Sequence, residues 1–295
     1  IQDAIDNAST GDTLQLWAWE YIESGIIVDK RVTITGNSTS TAIINGNWQD
    51  DIITIQSNSV FLKNLTIKRS SNGSSDMCIQ ASQGIGIKID NVALEECLEG
   101  IIVNVEGVLI SNVTIEDSVN HGIYINAANT RVENTTIENS GDSAIYIRDK
   151  STIYNNTIKS GSDYGISLET NDSAYSEISY NKIEDNDKDG IFVLNTHHVH
   201  ILRNTIEDND DYGIYLYNSD FTQINNNTID DNDGGIQFYL ADSSNVTGNT
   251  IDGNGGKGIW FRDSNDNYIK DTESTDSADD DIELDGSKRN IGFNF

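Results

Sequence analysis

Residues 226–238 read NNTIDDNDGGIQF, with Asn, Asp and Gly filling the spaces between Ile229, Ile236 and Phe238. The Gly-Ile step at its end recurs along the chain as GIYI, AIYI, GISL, GIFV, GIYL, GIQF, GIWF and DIEL. The isoleucines concerned are Ile123, Ile145, Ile166, Ile191, Ile214, Ile236, Ile259 and Ile282, spaced 21 to 25 residues apart. A second column runs Ile115, Ile137, Ile158, Ile183, Ile206, Ile229 and Ile251, and a third runs Ile110, Val132, Ile178, Ile201, Ile224, Val246 and Ile269. Each period holds three short runs with apolar residues two apart, which is the spacing of strands and not of helices.

Three strands within about 22 residues leave no room for a helical crossover, so each period closes as one turn whose strands pair with those of the next. The predicted fold is all-β, a right-handed parallel β-helix of roughly twelve turns with Ile, Val and Leu lining the inside, its hand following the crossover rule. Asn186, Asn209, Asn232 and Asn254 share one corner, where stacked carboxamides can hydrogen-bond along the axis and tolerate left-handed backbone. IQDAIDNASTGD sets Ile1, Ala4, Ile5 and Ala8 on one helical face, predicting a capping helix over residues 1–13 before a single β-helical domain over 14–295. Ile291, Phe293 and Phe295 alternate at the other end as strand residues do, predicting an apolar edge for self-association or a neighbouring domain.

The net charge of -30, from 18 basic and 48 acidic residues, excludes nucleic acid as a partner, because phosphate binding needs a positive footprint. No apolar run is long enough for membrane insertion. Cys78 and Cys97 fall short of one full period apart, and Cys97 takes a corner position held elsewhere by Asn or Ser, so two unpaired structural thiols are expected. The chain opens without an initiator Met or a signal-peptide pattern, and is expected to be a mature or excised extracellular, cell-surface product.

Near the start, Gly11, Asp12, Thr13, Tyr21, Glu23, Lys30, Thr33, Ile34, Gly36, Ile43, Ile44 and Gly46 stand in an IQ-AI-GDT, Y-x-E, K-x-x-T-I-x-G, I-I-x-G order. This block resembles the opening of bacterial and archaeal surface proteins of the pectin-lyase-like right-handed β-helix superfamily. The later repeats are similar to carbohydrate-binding and sugar-hydrolysis domains and to periplasmic copper-related β-helix proteins. The resemblance implies polysaccharide-processing enzymes, epimerases, surface layers or adhesins, and does not by itself name a reaction. Pectate lyases of this fold carry Arg-x-Pro-x-x-Arg and mannuronan epimerases Asp-Pro-His-Glu; a chain without proline has neither. Of the polygalacturonase pattern it has Asp-Asp at Asp210/Asp211 and Asp230/Asp231, without Gly-His-Gly, Arg-Ile-Lys or Asn-Thr-Asp.

Three constellations stand out. The first is an outward stripe of Tyr124, Tyr146, Phe192, Tyr215 and Trp260, with Tyr217 and Tyr239 two residues further along their strands. It suits sugar rings or a packed protein partner, or serves cross-strand stacking alone, and Ser167 and Gln237 interrupt it. The second stacks Asp185, Asp208 and Asp231 beside Asp187, Asp210 and Asp233, either as a solvated acidic edge or as an oxygen-only site for Ca²⁺. No cofactor is otherwise required. The third is NTHHVHI, where His198 and His200 are a surface imidazole pair or a metal pair, copper being the metal that the resemblance implies. Of the N-x-S/T sequons, Asn72 and Asn171 sit in polar excursions between turns and are the expected glycosylation sites.

Together these features favour an extracellular assembly subunit of a filament, surface layer or adhesin, with possible partners a polysaccharide and other copies of itself, over an enzyme. The alternative is a polysaccharide lyase, epimerase or glycoside hydrolase, which would require a basic residue beside two or more carboxylates.

Overall fold

The computed structural model describes residues 1–70, 76–170 and 175–293. Asn72, Asn171 and Phe295 lie outside the described residues. The chain divides into two compact units, Ile1–Ile145 and Tyr146–Phe295. Each is a parallel β-helix, and the two together contain about twelve turns.

The Ile1–Ile145 unit opens on the helix Gln2–Asn7, which buries Ile5 completely. The helix is shorter than expected, because Ala8 is already extended and the Asp12 amide turns back onto the Ser9 carbonyl at 3.0 Å, leading into the strand Thr13–Leu16. Lys30 Nζ donates to the carbonyls of Ile5, Asp6 and Ala8 at 3.0, 2.6 and 3.3 Å, satisfying helix-end acceptors that have no intrahelical partner. Ile26, Ile53, Ile79, Ile101 and Ile123 then pair in parallel register, one per turn and all fully buried.

Cys78 and Cys97 are joined in a disulfide, with Cα atoms 5.7 Å apart, which corrects the expectation of free thiols. The reason is geometric: a chain that closes each turn in about 22 residues returns after 19 residues almost to its starting point.

In the Tyr146–Phe295 unit, parallel register aligns Ile166, Ile191, Ile214, Ile236 and Ile259 in one row. Ile178, Ile201, Ile224, Val246 and Ile269 form a second row, and Ile158, Ile183, Ile206, Ile229 and Ile251 a third. All are buried, which makes the three apolar columns of the sequence the three inner walls. The glycine before each isoleucine makes room for this packing: a Cβ on Gly190 or Gly213 would lie 2.4 Å from Ile206 Cγ2 or Ile229 Cγ2. The pattern fades at the last turns, where Ser274 replaces the isoleucine, and Leu284 and Ile291 are 55% and 52% exposed. Phe293 closes the strand Ile291–Phe293.

The corner asparagines form the expected ladder. Asn186 Nδ2 donates to Asn209 Oδ1 at 2.8 Å, Asn209 to Asn232 at 2.8 Å, and Asn232 to Asn254 at 3.3 Å. The left-handed backbone, however, belongs to the residue before each rung: Asp185, Asp208 and Asp231 have φ of 56°, 56° and 52°. That residue makes the bend with its side chain outside, which turns the next side chain inward. A second, equally buried ladder joins Asn156, Asn181, Asn204, Asn227 and Asn249 at 2.9 to 3.0 Å. Among the described residues, no helix is long and apolar enough to cross a membrane.

Candidate active site

Apart from Tyr124, the aromatic stripe lies on the outward face of one sheet of the Tyr146–Phe295 unit. Alternation along its strands leaves Phe192, Tyr215, Gln237 and Trp260 in one outward row, and Leu194, Tyr217, Tyr239 and Arg262 in the next. Phe192 and Tyr215 are 5.4 Å apart between ring centroids, and Tyr217 and Tyr239 are 5.2 Å apart. Tyr146 Oη donates to Glu169 Oε2 at 2.7 Å. Two rings that the stripe pattern missed complete the face: Tyr164 stacks on Phe192 at 4.6 Å, and Tyr212 leans on Tyr215 at 6.0 Å. Both stand just before the glycine of the Gly-Ile step, and an aromatic at that position was the available signal.

Basic residues concentrate on these rings. Lys188 Nζ lies 4.7 Å from the Tyr164 centroid, Lys257 Nζ lies 3.8 Å from that of Trp260, and the Arg262 guanidinium lies 4.7 Å from that of Tyr239. Cations over aromatic faces gain from the ring quadrupole, and the long stems cover apolar surface.

At the edge of this face, Lys188 pairs with Asp163, and Asp189 follows it in the chain. Asp189 is 3% exposed, and its Oδ1 accepts the Tyr212 amide at 2.8 Å. Burial pushes its carboxyl up to about 8, with Asp211 and Asp163 adding to the rise against the opposing Tyr212 hydrogen bond and Lys188. Asp211 is also raised, first by burial and then by Asp233. Burial, followed by the Asp189 charge, pushes the Tyr215 phenol up to about 12. The result is a neutral carboxylic acid at neutral pH beside other carboxylates, a lysine and a set of rings. Charged neighbours and burial of this kind set acid and base roles apart.

The Ile1–Ile145 unit holds Tyr124, which packs edge-on against His121 at 5.5 Å. His121 Nδ1 lies 3.4 Å from Glu99 Oε2 and 4.0 Å from Asp142 Oδ2. This imidazole escaped notice because it lies outside the NTHHVHI segment. His198 and His200 have different settings: His198 sits in a left-handed bend stacked between Tyr175 and Phe221, each 5.0 Å away, while His200 is a strand residue beside Glu177 and Gln223. Asp185, Asp208, Asp210, Asp231 and Asp233 line one open cleft, and Asp187 lies outside that lining. Burial, then the charges of Asp185 and Asp231, raises the Asp208 carboxyl. Among the described residues, no three His, Cys, Asp or Glu side chains converge where a metal ion could sit.

The family described as "right handed beta helix region" matches residues 99–251 and 170–294. The chain belongs to this right-handed β-helix family. None of the curated proteins matches it. Among solved structures, this β-helix is similar to the A-module of mannuronan C-5 epimerase AlgE6 from Azotobacter vinelandii, with 17% identity and a TM-score of 0.80 over 99% of this chain and 94% of that one. It is similar to the catalytic unit of a GH87 α-1,3-glucanase from Streptomyces thermodiastaticus, with 15% identity and a TM-score of 0.72 over 99% of this chain and 64% of that one. A family 28 exopolygalacturonase from Yersinia enterocolitica gives 12% identity and a TM-score of 0.68 over 98% and 74%. At these identities the likeness carries the fold. The neighbours are nonetheless polysaccharide-acting enzymes, and this corrects the expectation of a surface-assembly subunit.

Proposed function

We propose that this β-helix is a polysaccharide-acting enzyme that lays its substrate over the aromatic face of the Tyr146–Phe295 unit and cleaves glycosidic bonds with Asp189 as the proton donor. The observation that carries the reading is the meeting of Lys188 with Asp163, Asp189 and Asp211 at the edge of that face. A basic residue beside two or more carboxylates is what the sequence required of an enzyme and not of an assembly unit.

In this reading Tyr215, Tyr217, Tyr239 and Trp260 offer apolar ring faces with polar tips to successive sugars. Asp189 holds its proton at neutral pH because burial opposes the charged form. Its second oxygen makes no hydrogen bond among the described residues, so it is the one that hands the proton to the glycosidic oxygen as the C–O bond breaks. Water adds to the anomeric carbon and gives its proton to ionised Asp211, whose raised pKa makes it the better base. Lys257 and Arg262 would balance the charge of an acidic polymer on the same face. The Cys78–Cys97 disulfide supports an oxidising compartment, periplasmic or extracellular.

The test is incubation of the protein with separate neutral glucans and polyuronates, followed by measurement of new reducing ends. Wild type should release them from at least one polymer, and Asp189→Asn should be slower by about 100-fold or more. A wild-type protein that leaves every polymer intact ends this reading.

A further inference from the structure

The Tyr146–Phe295 unit carries another surface that this chemistry does not use. On its other sheet, parallel register lays Glu177, His200, Gln223, Asn245 and Tyr268 in one outward row and Ser179, Leu202, Asn225, Thr247 and Lys270 in the next. A bend row follows, in which Tyr180, Arg203, Asn226 and Gly248 all have left-handed backbone. Two clefts of about 510 and 380 Å³ open along these rows, and they share Asn225 and Asn226, so they run together as one groove.

The asparagines just inside this groove are fully engaged: Asn181, Asn204 and Asn227 each donate to the next rung and to a backbone carbonyl. In the groove itself, the carboxamides of Gln223, Asn225, Asn226 and Asn245 make no hydrogen bond among the described residues. Asn225 Oδ1 is, in addition, shut away from solvent with no partner. A buried polar atom left unpaired is costly, and an ordered water or a ligand group reaching it from the groove satisfies it. Gly248 leaves room for the neighbouring side chain, since a Cβ there would meet Asn226 Oδ1 at 2.8 Å. Aromatic residues stand at both ends. Tyr180 lies under the Arg203 guanidinium at 5.4 Å, and Tyr268 neighbours Lys270 on the same strand.

We infer that this groove is a second, non-catalytic binding site for an oligosaccharide. A hydroxyl both donates and accepts, so it answers the buried Asn225 atom whichever way the carboxamide is turned. Neighbouring hydroxyls on a sugar ring match the donor and acceptor of an amide, and a sugar's apolar face suits Tyr268. The groove rows repeat about every 4.8 Å, close to the length of one pyranose unit, so a linear chain lies along the stacking direction. Arg203 and Lys270 stand against Glu177 and against Asp271, which lies 3.7 Å from Lys270 Nζ, so the groove is close to charge-neutral in an acidic protein and suits a neutral chain better than a uronate one. The inference shares the polysaccharide substrate with the proposed function but does not depend on turnover.

The experiment is calorimetric titration of the intact protein with neutral and uronate hexasaccharides. The comparison variants are Asn225→Ala/Asn226→Gly, where glycine fits the left-handed backbone, and Tyr215→Ala/Trp260→Ala. Wild type should bind two equivalents of one hexasaccharide. The groove variant should lose one equivalent, weakened at least tenfold, while keeping the wild-type circular dichroism spectrum and any activity on soluble substrate. The aromatic-face variant should lose the other equivalent. A single equivalent that the groove variant retains, or no binding to either sugar at millimolar concentration, overturns the inference. Loss of activity with groove binding intact would strike only the catalytic reading.

Discussion

Replacing Asp189 with Asn tests the buried acid through stability alone. In the fold, Asp189 keeps its proton up to about pH 8, whereas in the unfolded chain it loses it near 3.8. Between these values the unfolded state binds fewer protons than the native one, so the contribution of Asp189 to stability falls as pH rises from about 4 to about 8. The loss is about 1.4 kcal/mol per pH unit, and on the order of 5 kcal/mol across the window. Asn keeps the shape and can still accept the Tyr212 amide, but it has no proton to lose. Urea unfolding of both proteins at pH 4, 6 and 8 reads the difference, and shifts at other carboxylates cancel between them. Asp189→Asn should match wild type near pH 4 and exceed it by several kcal/mol at pH 8. An unchanged difference from pH 4 to pH 8 would mean that Asp189 ionises like an exposed aspartate, and the proton-donor argument would fall.

Asn209→Ala removes a rung that accepts from the Asn186 backbone and side chain and donates to Asn232, Ile183 and Glu207. It should cost roughly 2–4 kcal/mol in urea unfolding, because buried partners lose their bonds together. Reduction of Cys78–Cys97 should lower stability by roughly 3 kcal/mol, the entropy of a loop of that length, checked by unfolding with and without a reductant. Tyr215→Ala should weaken affinity for an oligosaccharide substrate about tenfold by calorimetry, and should lower the urea midpoint modestly through its lost contacts with Phe192 and Tyr212. Sodium chloride should raise the urea midpoint through the physiological range, since it screens the repulsion among Asp185, Asp208 and Asp231.

The inner walls were legible because strand period and turn period both show in the isoleucines, which leave no other way to bury one face per strand. Asn186 through Asn254 declared a ladder in the same way. The second ladder was harder to see, because Asn156, Asn181, Asn204, Asn227 and Asn249 read as part of the polar phrase around the isoleucine. Nothing in composition separates an asparagine facing in from one facing out. The disulfide was missed because distance was counted along the chain and not around the turn. The aromatic rows were legible from alternation. Asp189 was not, since it was one acid among 48 and only the fold shows that Tyr212 and the neighbouring turns bury it. The candidate site turned on that same difference between residue type and surroundings, and the abundance of acids concealed the few held in an unusual state.

The pH dependence of kcat/KM on whichever polysaccharide the protein cleaves tests the central claim most directly. With Asp189 as the proton donor, activity should fall above about pH 8 as that group ionises, and Asp189→Asn should remove most of the activity together with that limb. A profile that stays level well above pH 8, or an Asp189→Asn protein that works at the wild-type rate, would contradict the account.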